Sequence, residues 1–234
     1  MSRSRPIVAI DGPAGAGKST IARRVADALG FVLVDTGALY RTVALAASRR
    51  GIPLSDGESV GDVARGMVSR DELRLDRDPA NGVRVLLGPA DAREDVSEAI
   101  RTPEMSLGAS TVSAHPGVRA ALLDIQRRAG AEGGVVLEGR DIGTVVFPDA
   151  EVKLFLTASA ETRARRRYDE LVAKGQEVSY EETLDQVRAR DRQDEARAIA
   201  PLRRAEDAHL VDSSSMSLDD VLERMLAIVR AWAR

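Results

Sequence analysis

Ile7-Val8-Ala9-Ile10-Asp11-Gly12-Pro13-Ala14-Gly15-Ala16-Gly17-Lys18-Ser19-Thr20 changes character twice along its length. Four apolar residues run into Asp11. A turn of glycine, proline and alanine follows, and a helical pattern begins at Lys18. Gly12 to Ser19 fits the pattern G-x-x-x-x-G-K-[ST], and it sits between a strand and a helix, the context that gives this pattern meaning. The chemistry explains the spacing. Glycines let successive backbone N–H groups turn inward around a phosphate, and a helix starting at Lys18 aims its positive dipole end at the same anion. Lys18 then reaches the outer phosphates of a nucleotide, and the Ser19 hydroxyl faces its Mg²⁺.

The pattern continues outward from this loop. Ile21, Val25 and Leu29 fall on one helical face, which stops at Gly30. A second apolar run, 31–34, leads to Asp35, and Thr36 is expected to cap a helix reaching Arg50 before Gly51. Further strands are expected at 134–138, 151–156 and 208–211. Helices are expected at 159–174 and 180–195, and from Ser217 onward. Strands alternating with helices predict an α/β fold with a five-stranded parallel sheet flanked by helices. Residues 55–102 break that rhythm. An acidic helix near 58–68 precedes two apolar runs, 72–76 and 83–87, around Asn81-Gly82, which reads as an antiparallel hairpin. Pro103 and Pro116 each mark the first turn of a helix. The stretch therefore reads as an insert.

Composition narrows the function classes. The 234 residues are 44% hydrophobic, enough for a real core. With 34 basic and 37 acidic residues the net charge is −3, so a broadly basic nucleic-acid-binding surface is not expected. No cysteine is present, which excludes disulfides, thiolate metal sites and cysteine nucleophiles. His115 and His209 stand alone, without metal-ligand spacing. No apolar run suits a bilayer span, and the first residues lack a secretory pattern, so a cytoplasmic protein is expected. Of the basic residues 31 are Arg and three are Lys, at 18, 153 and 174. Codon bias accounts for this excess over most of the surface; the functional reading is that a subset of these arginines binds phosphate, because guanidinium forks suit phosphate oxygens.

The loop alone leaves two classes open, a phosphotransferase and a nucleotide-hydrolysing switch or motor. No Asn-Lys-x-Asp guanine-reading element is present. Val135-Val136-Leu137-Glu138 partly matches the acidic-ended strand of motor ATPases.

Four segments together are more specific. They are Asp11–Thr20, Asp35-Thr36-Gly37-Ala38-Leu39-Tyr40-Arg41, Glu138-Gly139-Arg140-Asp141-Ile142-Gly143-Thr144-Val145-Val146-Phe147-Pro148, and Arg190-Asp191-Arg192 through Ala200-Pro201-Leu202. In this order they resemble the bacterial cytidylate kinases, over nearly the whole chain. The resemblance implies a single P-loop kinase domain over 1–234, a monophosphate-binding region at 36–130 containing the hairpin, and a helical lid at 160–195. It implies phosphoryl transfer from ATP, with Mg²⁺, to CMP and dCMP, by a cytoplasmic monomer with no nucleic-acid or membrane partner. A kinase of UMP or shikimate, or an acceptor-free NTPase switch, is the alternative.

The resemblance also implies roles for particular residues. Gly12, Pro13, Ala14, Gly15, Ala16, Gly17, Lys18, Ser19 and Thr20 would hold ATP, with Ser19 on the metal. Thr36, Tyr40, Arg41, Ser110, Arg119, Arg140, Asp141, Arg190, Asp194 and Arg197 would hold CMP. Ser110, Arg119 and Asp141 would read the base, since cytosine offers an N4 amino donor beside N3 and O2 acceptors. Arg41, Arg140 and Arg197 would take the acceptor phosphate, beside Tyr40, while Arg190 and Asp194 would take the ribose. Lys18, Arg140 and the lid residue Arg166 would act in catalysis. Without the resemblance, Arg119, Arg190 and Arg197 would read as a solvated helix face, and Ser110 would carry no signal. No general base is expected, because the second pKa of a phosphate monoester lies near 6 and its oxygen is already anionic at neutral pH.

Overall fold

The computed structural model describes residues 3–78 and 82–232. In chain order the elements are β1 (Ile7–Asp11), α1 (Lys18–Leu29), β2 (Val32–Asp35), α2 (Thr36–Arg49), α3 (Gly57–Ser69), β3 (Leu73–Asp78), β4 (Gly82–Leu87), β5 (Glu94–Asp95), α4 (Pro103–Val112), α5 (Pro116–Gly130), β6 (Val135–Gly139), β7 (Val152–Thr157), α6 (Ala160–Ala173), α7 (Tyr180–Glu195), β8 (His209–Asp212) and α8 (Leu218–Trp232). A 3₁₀ turn spans Ala99–Arg101, and a π-helical turn spans Ile142–Val146. The chain divides into two compact units, one formed by Met1–Val32 with Glu132–Arg234, the other by Leu33–Ala131.

The main sheet has the order β2-β6-β1-β7-β8. β1 lies parallel to β6 and β7, and β7 lies parallel to β8. All five residues of β1 are buried, as a central strand covered on both faces requires. Each fully buried Ile or Val there contributes about 1.5–3 kcal/mol by leaving water. Ile21 and Val25, one turn apart on α1, are wholly buried, and Gly30 closes that helix in the left-handed conformation at φ 63°. Register matters most for function. Asp11 pairs with Gly139 and with Phe155, so the loops leaving β1 and β6 emerge at the same edge of the sheet. That carboxyl edge is where open α/β sheets bind ligands.

The second unit has its own core, built from Leu39, Val43, Val60, Met67, Ile100, Val112, Val118 and Leu122 among others. Its hairpin β3–β4 pairs Leu73 with Leu87 and is antiparallel, as the alternation predicts. A short third strand, β5, joins it, which the sequence reading did not contain. The expected turn at Asn81 lies outside the described residues. Pro103 and Pro116 open α4 and α5. Several boundaries fall one residue from expectation, among them those of β2, β6, β7 and β8, and at α2 the cap itself differs. Thr36 is the first residue of α2 rather than its cap; Asp35 is the cap, and its Oδ1 accepts from the Ala38 N–H at 3.1 Å. A carboxylate one residue earlier reaches the same orphan amide and adds a charge that suits the helix dipole.

Candidate active site

The glycine loop is built by close approach and by helix geometry. A Cβ on Gly12, at φ +151°, would lie 1.9 Å from the Leu156 carbonyl oxygen, so only glycine fits against β7. Gly17, at φ +88°, is the N-cap of α1 and has no side chain to spend on the first-turn amides. Those amides and the helix dipole therefore face an incoming anion. Lys18 is 7% exposed, and its Nζ donates to the Pro13 carbonyl at 2.7 Å, closing the loop on itself. Burial pushes the Lys18 ammonium well below its usual range, and the Arg140 and Arg190 charges push the same way, against Glu138 and Asp11. A phosphate would reverse that balance.

Ser19 Oγ donates to Glu138 Oε2 at 2.9 Å, and Glu138 at the end of β6 is 4% exposed. A hydroxyl beside a buried carboxylate is a hard-oxygen pair suited to Mg²⁺, which takes one or two protein ligands and completes its shell with phosphate and water oxygens. No group of three or more His, Cys, Asp or Glu placed to hold a metal ion occurs among the described residues.

Asp11 is a further member of this unit that the sequence reading passed over as a strand end. It is 5% exposed, and its two oxygens accept from the Ile142 and Gly143 N–H groups at 2.8 Å each. One carboxylate thereby ties the strand that enters the glycine loop to the turn that follows Arg140 and Asp141. Burial raises its pKa to about 6, more than the two backbone N–H groups lower it.

Arg140 and Asp141 stand on the loop after β6, with Asp141 buried. Arg140 Nε donates to Asp194 Oδ2 at 2.9 Å, and Arg197 Nη2 donates to Asp194 Oδ1. Asp194, near the end of α7, is 1% exposed. Burial works to raise its pKa, but Arg140 and Arg197 outweigh it and the net shift is downward. The carboxylate is therefore ionised and holds both guanidinium groups in fixed orientation.

The dense basic run on α6 separates into different environments. Arg163 is 4% exposed and bonds Ala14 of the glycine loop, so it is not part of a solvated face. Arg166 donates to the Ser213 carbonyl at 2.8 Å and to Ser213 Oγ at 3.2 Å. Arg165 lies over the Tyr180 ring at 4.4 Å, and Arg167 pairs with Glu170 at the surface.

The second unit carries the remaining expected residues. Thr36, Tyr40 and Ser110 are buried. Arg41 Nη2 donates to Asp35 Oδ2 at 2.7 Å, so the cap of α2 also orients Arg41. Arg41 Nε is buried and makes no hydrogen bond among the described residues. The Arg119 guanidinium lies 5.8 Å from the Tyr40 ring centre and donates to the Ser113 carbonyl, while Ser113 Oγ donates to the Ser110 carbonyl. Tyr40, Ser110 and Arg119 are thereby linked through local contacts.

A parallel sheet, a glycine loop closed by a buried lysine, and a serine set against an acidic strand end define a P-loop nucleotide-binding protein. The cytidylate kinase family model matches residues 8–231, and the chain belongs to that family. Similar chains include the cytidylate kinase of Syntrophotalea carbinolica, 54% identical, with 95% of this chain and 91% of that one covered. The cytidylate kinase of Geobacter sulfurreducens is also 54% identical, over 97% and 94% of the two chains. Among solved structures, an uncharacterized protein from Eubacterium ventriosum shares the fold, with a TM-score of 0.51 at 12% identity over 97% of this chain and 99% of that one.

Proposed function

We propose that the chain transfers the γ-phosphoryl group of ATP to CMP and dCMP, giving ADP with CDP or dCDP. Membership of the cytidylate kinase family over residues 8–231 carries this reading. The γ-phosphorus–oxygen bond to ADP breaks as the acceptor phosphate oxygen forms a new bond to phosphorus, in line. That oxygen is already anionic, so no side chain is assigned as a base. Catalysis consists of alignment and charge neutralisation.

Gly12 to Thr20 cradle the donor phosphates, with Lys18 Nζ leaving Pro13 for a phosphate oxygen. Ser19, supported by Glu138, would hold Mg²⁺, which when bound neutralises the phosphate oxygens. Arg41, Arg140 and Arg197 take the acceptor phosphate. The uncommitted Arg41 Nε supports its share in that role. Asp141 accepts from cytosine N4, while Arg119 and Ser110 donate to O2 and N3. Uracil has a carbonyl where Asp141 needs a proton. Arg190 and Asp194 take the ribose, Tyr40 and Thr36 line the acceptor site, and Arg166 meets the transferred group from the lid at 160–195. The region 36–130 serves the acceptor. The protein works as a cytoplasmic monomer without nucleic-acid or membrane partners. No helix among the described residues is long and apolar enough to cross a membrane.

A coupled assay with MgATP and, in turn, CMP, dCMP, UMP, AMP and shikimate tests the reading. CMP and dCMP should be the good acceptors; preference for any other acceptor overturns it.

A further inference from the structure

Arg163 and Asp191 form a bidentate ion pair between α6 and α7, with Nη1 to Oδ1 at 2.9 Å and Nη2 to Oδ2 at 2.6 Å. The Arg163 side chain is 5% exposed and that of Asp191 18%. The same guanidinium donates through Nε to the Ala158 carbonyl at 2.9 Å and through Nη1 to the Ala14 carbonyl at 3.1 Å. Four of its five N–H groups are therefore spent inside the chain. Gly15 lies directly against the stem of the Arg163 side chain, for a Cβ there would meet Arg163 Cβ at 3.4 Å.

The Ala14 contact has a geometric consequence. A trans peptide points its C=O and the next N–H in opposite directions. Holding the Ala14 carbonyl against Arg163 turns the Gly15 N–H the other way, away from the guanidinium. Gly15 sits at φ +74°, where the backbone has little steric guidance of its own and rotates easily. Something outside the loop must then fix that peptide plane. Asp191, in turn, fixes the fork of Arg163. It stands beside Arg190 and one turn before Asp194, which holds Arg140 and Arg197.

We propose that the Arg163–Asp191 pair is a positioning strut for the donor loop: Arg163 sets the Ala14–Gly15 peptide so that the Gly15 N–H meets a donor phosphate, and Asp191 makes that setting depend on α7. Neither residue needs to touch a nucleotide for this role. The inference rests on the donor loop holding ATP.

The test is MgATP binding to the full chain without acceptor, by calorimetric titration, with thermal unfolding recorded on the same samples. Asp191→Asn and Arg163→Lys, which keep size or charge but lose the fork, should each raise the Kd for MgATP about tenfold. The double variant should bind no more weakly than the weaker single one, because both remove the same constraint. Asp191→Glu should restore part of the affinity. A purely structural pair would lower the melting temperature and leave the Kd at the wild-type value in the variants that fold, and that result would overturn the proposal. If Asp191→Asn does not fold, Arg163→Lys and Asp191→Glu carry the same comparison. Wild-type chain that binds MgATP yet fails to phosphorylate CMP would defeat the functional reading alone, and the strut would still be read from the Kd values.

Discussion

Asp194 Oδ2 accepts from Arg140 Nε at 2.9 Å, and the carboxylate is almost wholly buried between Arg140 and Arg197. The carboxylate at once neutralises two guanidinium groups and orients them, which is the preorganisation their proposed role on the acceptor phosphate calls for.

Asp194→Ala would leave those two guanidinium groups without their counter-charge. Removing one partner of such a buried pair costs about 3–5 kcal/mol. Urea unfolding at pH 7.5 should show that loss, and the KM for CMP should rise more than the KM for ATP. The Asp194 pKa is depressed on folding, so its contribution is present above the ordinary carboxylate range and is lost as pH falls below it.

Asp11 has the opposite sign. Its pKa is raised from 3.8 to about 6, so the folded state binds the extra proton, and the stabilisation is full below pH 3.8 and lost as pH rises through 6. The span corresponds to about 3 kcal/mol at 1.36 kcal/mol per unit. The wild type minus Asp11→Asn stability difference should therefore shrink by most of that amount, about 2.4 kcal/mol, between pH 4 and 7, as read by urea unfolding. A difference independent of pH would contradict the assignment.

Asp35 caps α2 and holds Arg41. Asp35→Ala should cost about 1 kcal/mol from the cap alone. It should also raise the KM for CMP by releasing Arg41, while Asp35→Asn keeps the cap but weakens the hold on Arg41. Thermal unfolding paired with CMP titration separates the two effects.

Lys18→Met keeps the length of the side chain and removes its charge. Turnover of ATP and CMP should fall about 10²–10³-fold, the scale expected when one preorganised donor to the developing charge is lost. Stability should change little or rise, because a buried cation with a depressed pKa is replaced by an apolar group.

The parallel sheet was legible in the sequence because its strands are short apolar runs bounded by turns. The glycine loop was legible because its chemistry needs particular residues at fixed spacing. What could not be read were pairings between distant segments. Asp11 looks like a strand end until the turn at 142–146 places two amides on it. Arg163 is one of four arginines in five positions, and nothing local distinguishes it from its exposed neighbours before α7 supplies Asp191. Thr36 and Asp35 both suit a helix cap, and only the backbone geometry chooses Asp35.

The initial rate of ADP formation from MgATP, measured with and without CMP, is the decisive test of phosphoryl transfer to CMP. Negligible ADP should form without acceptor, the rate should rise and saturate on adding CMP, and one CDP should form per ADP. ADP release at the same rate with and without CMP would contradict that transfer.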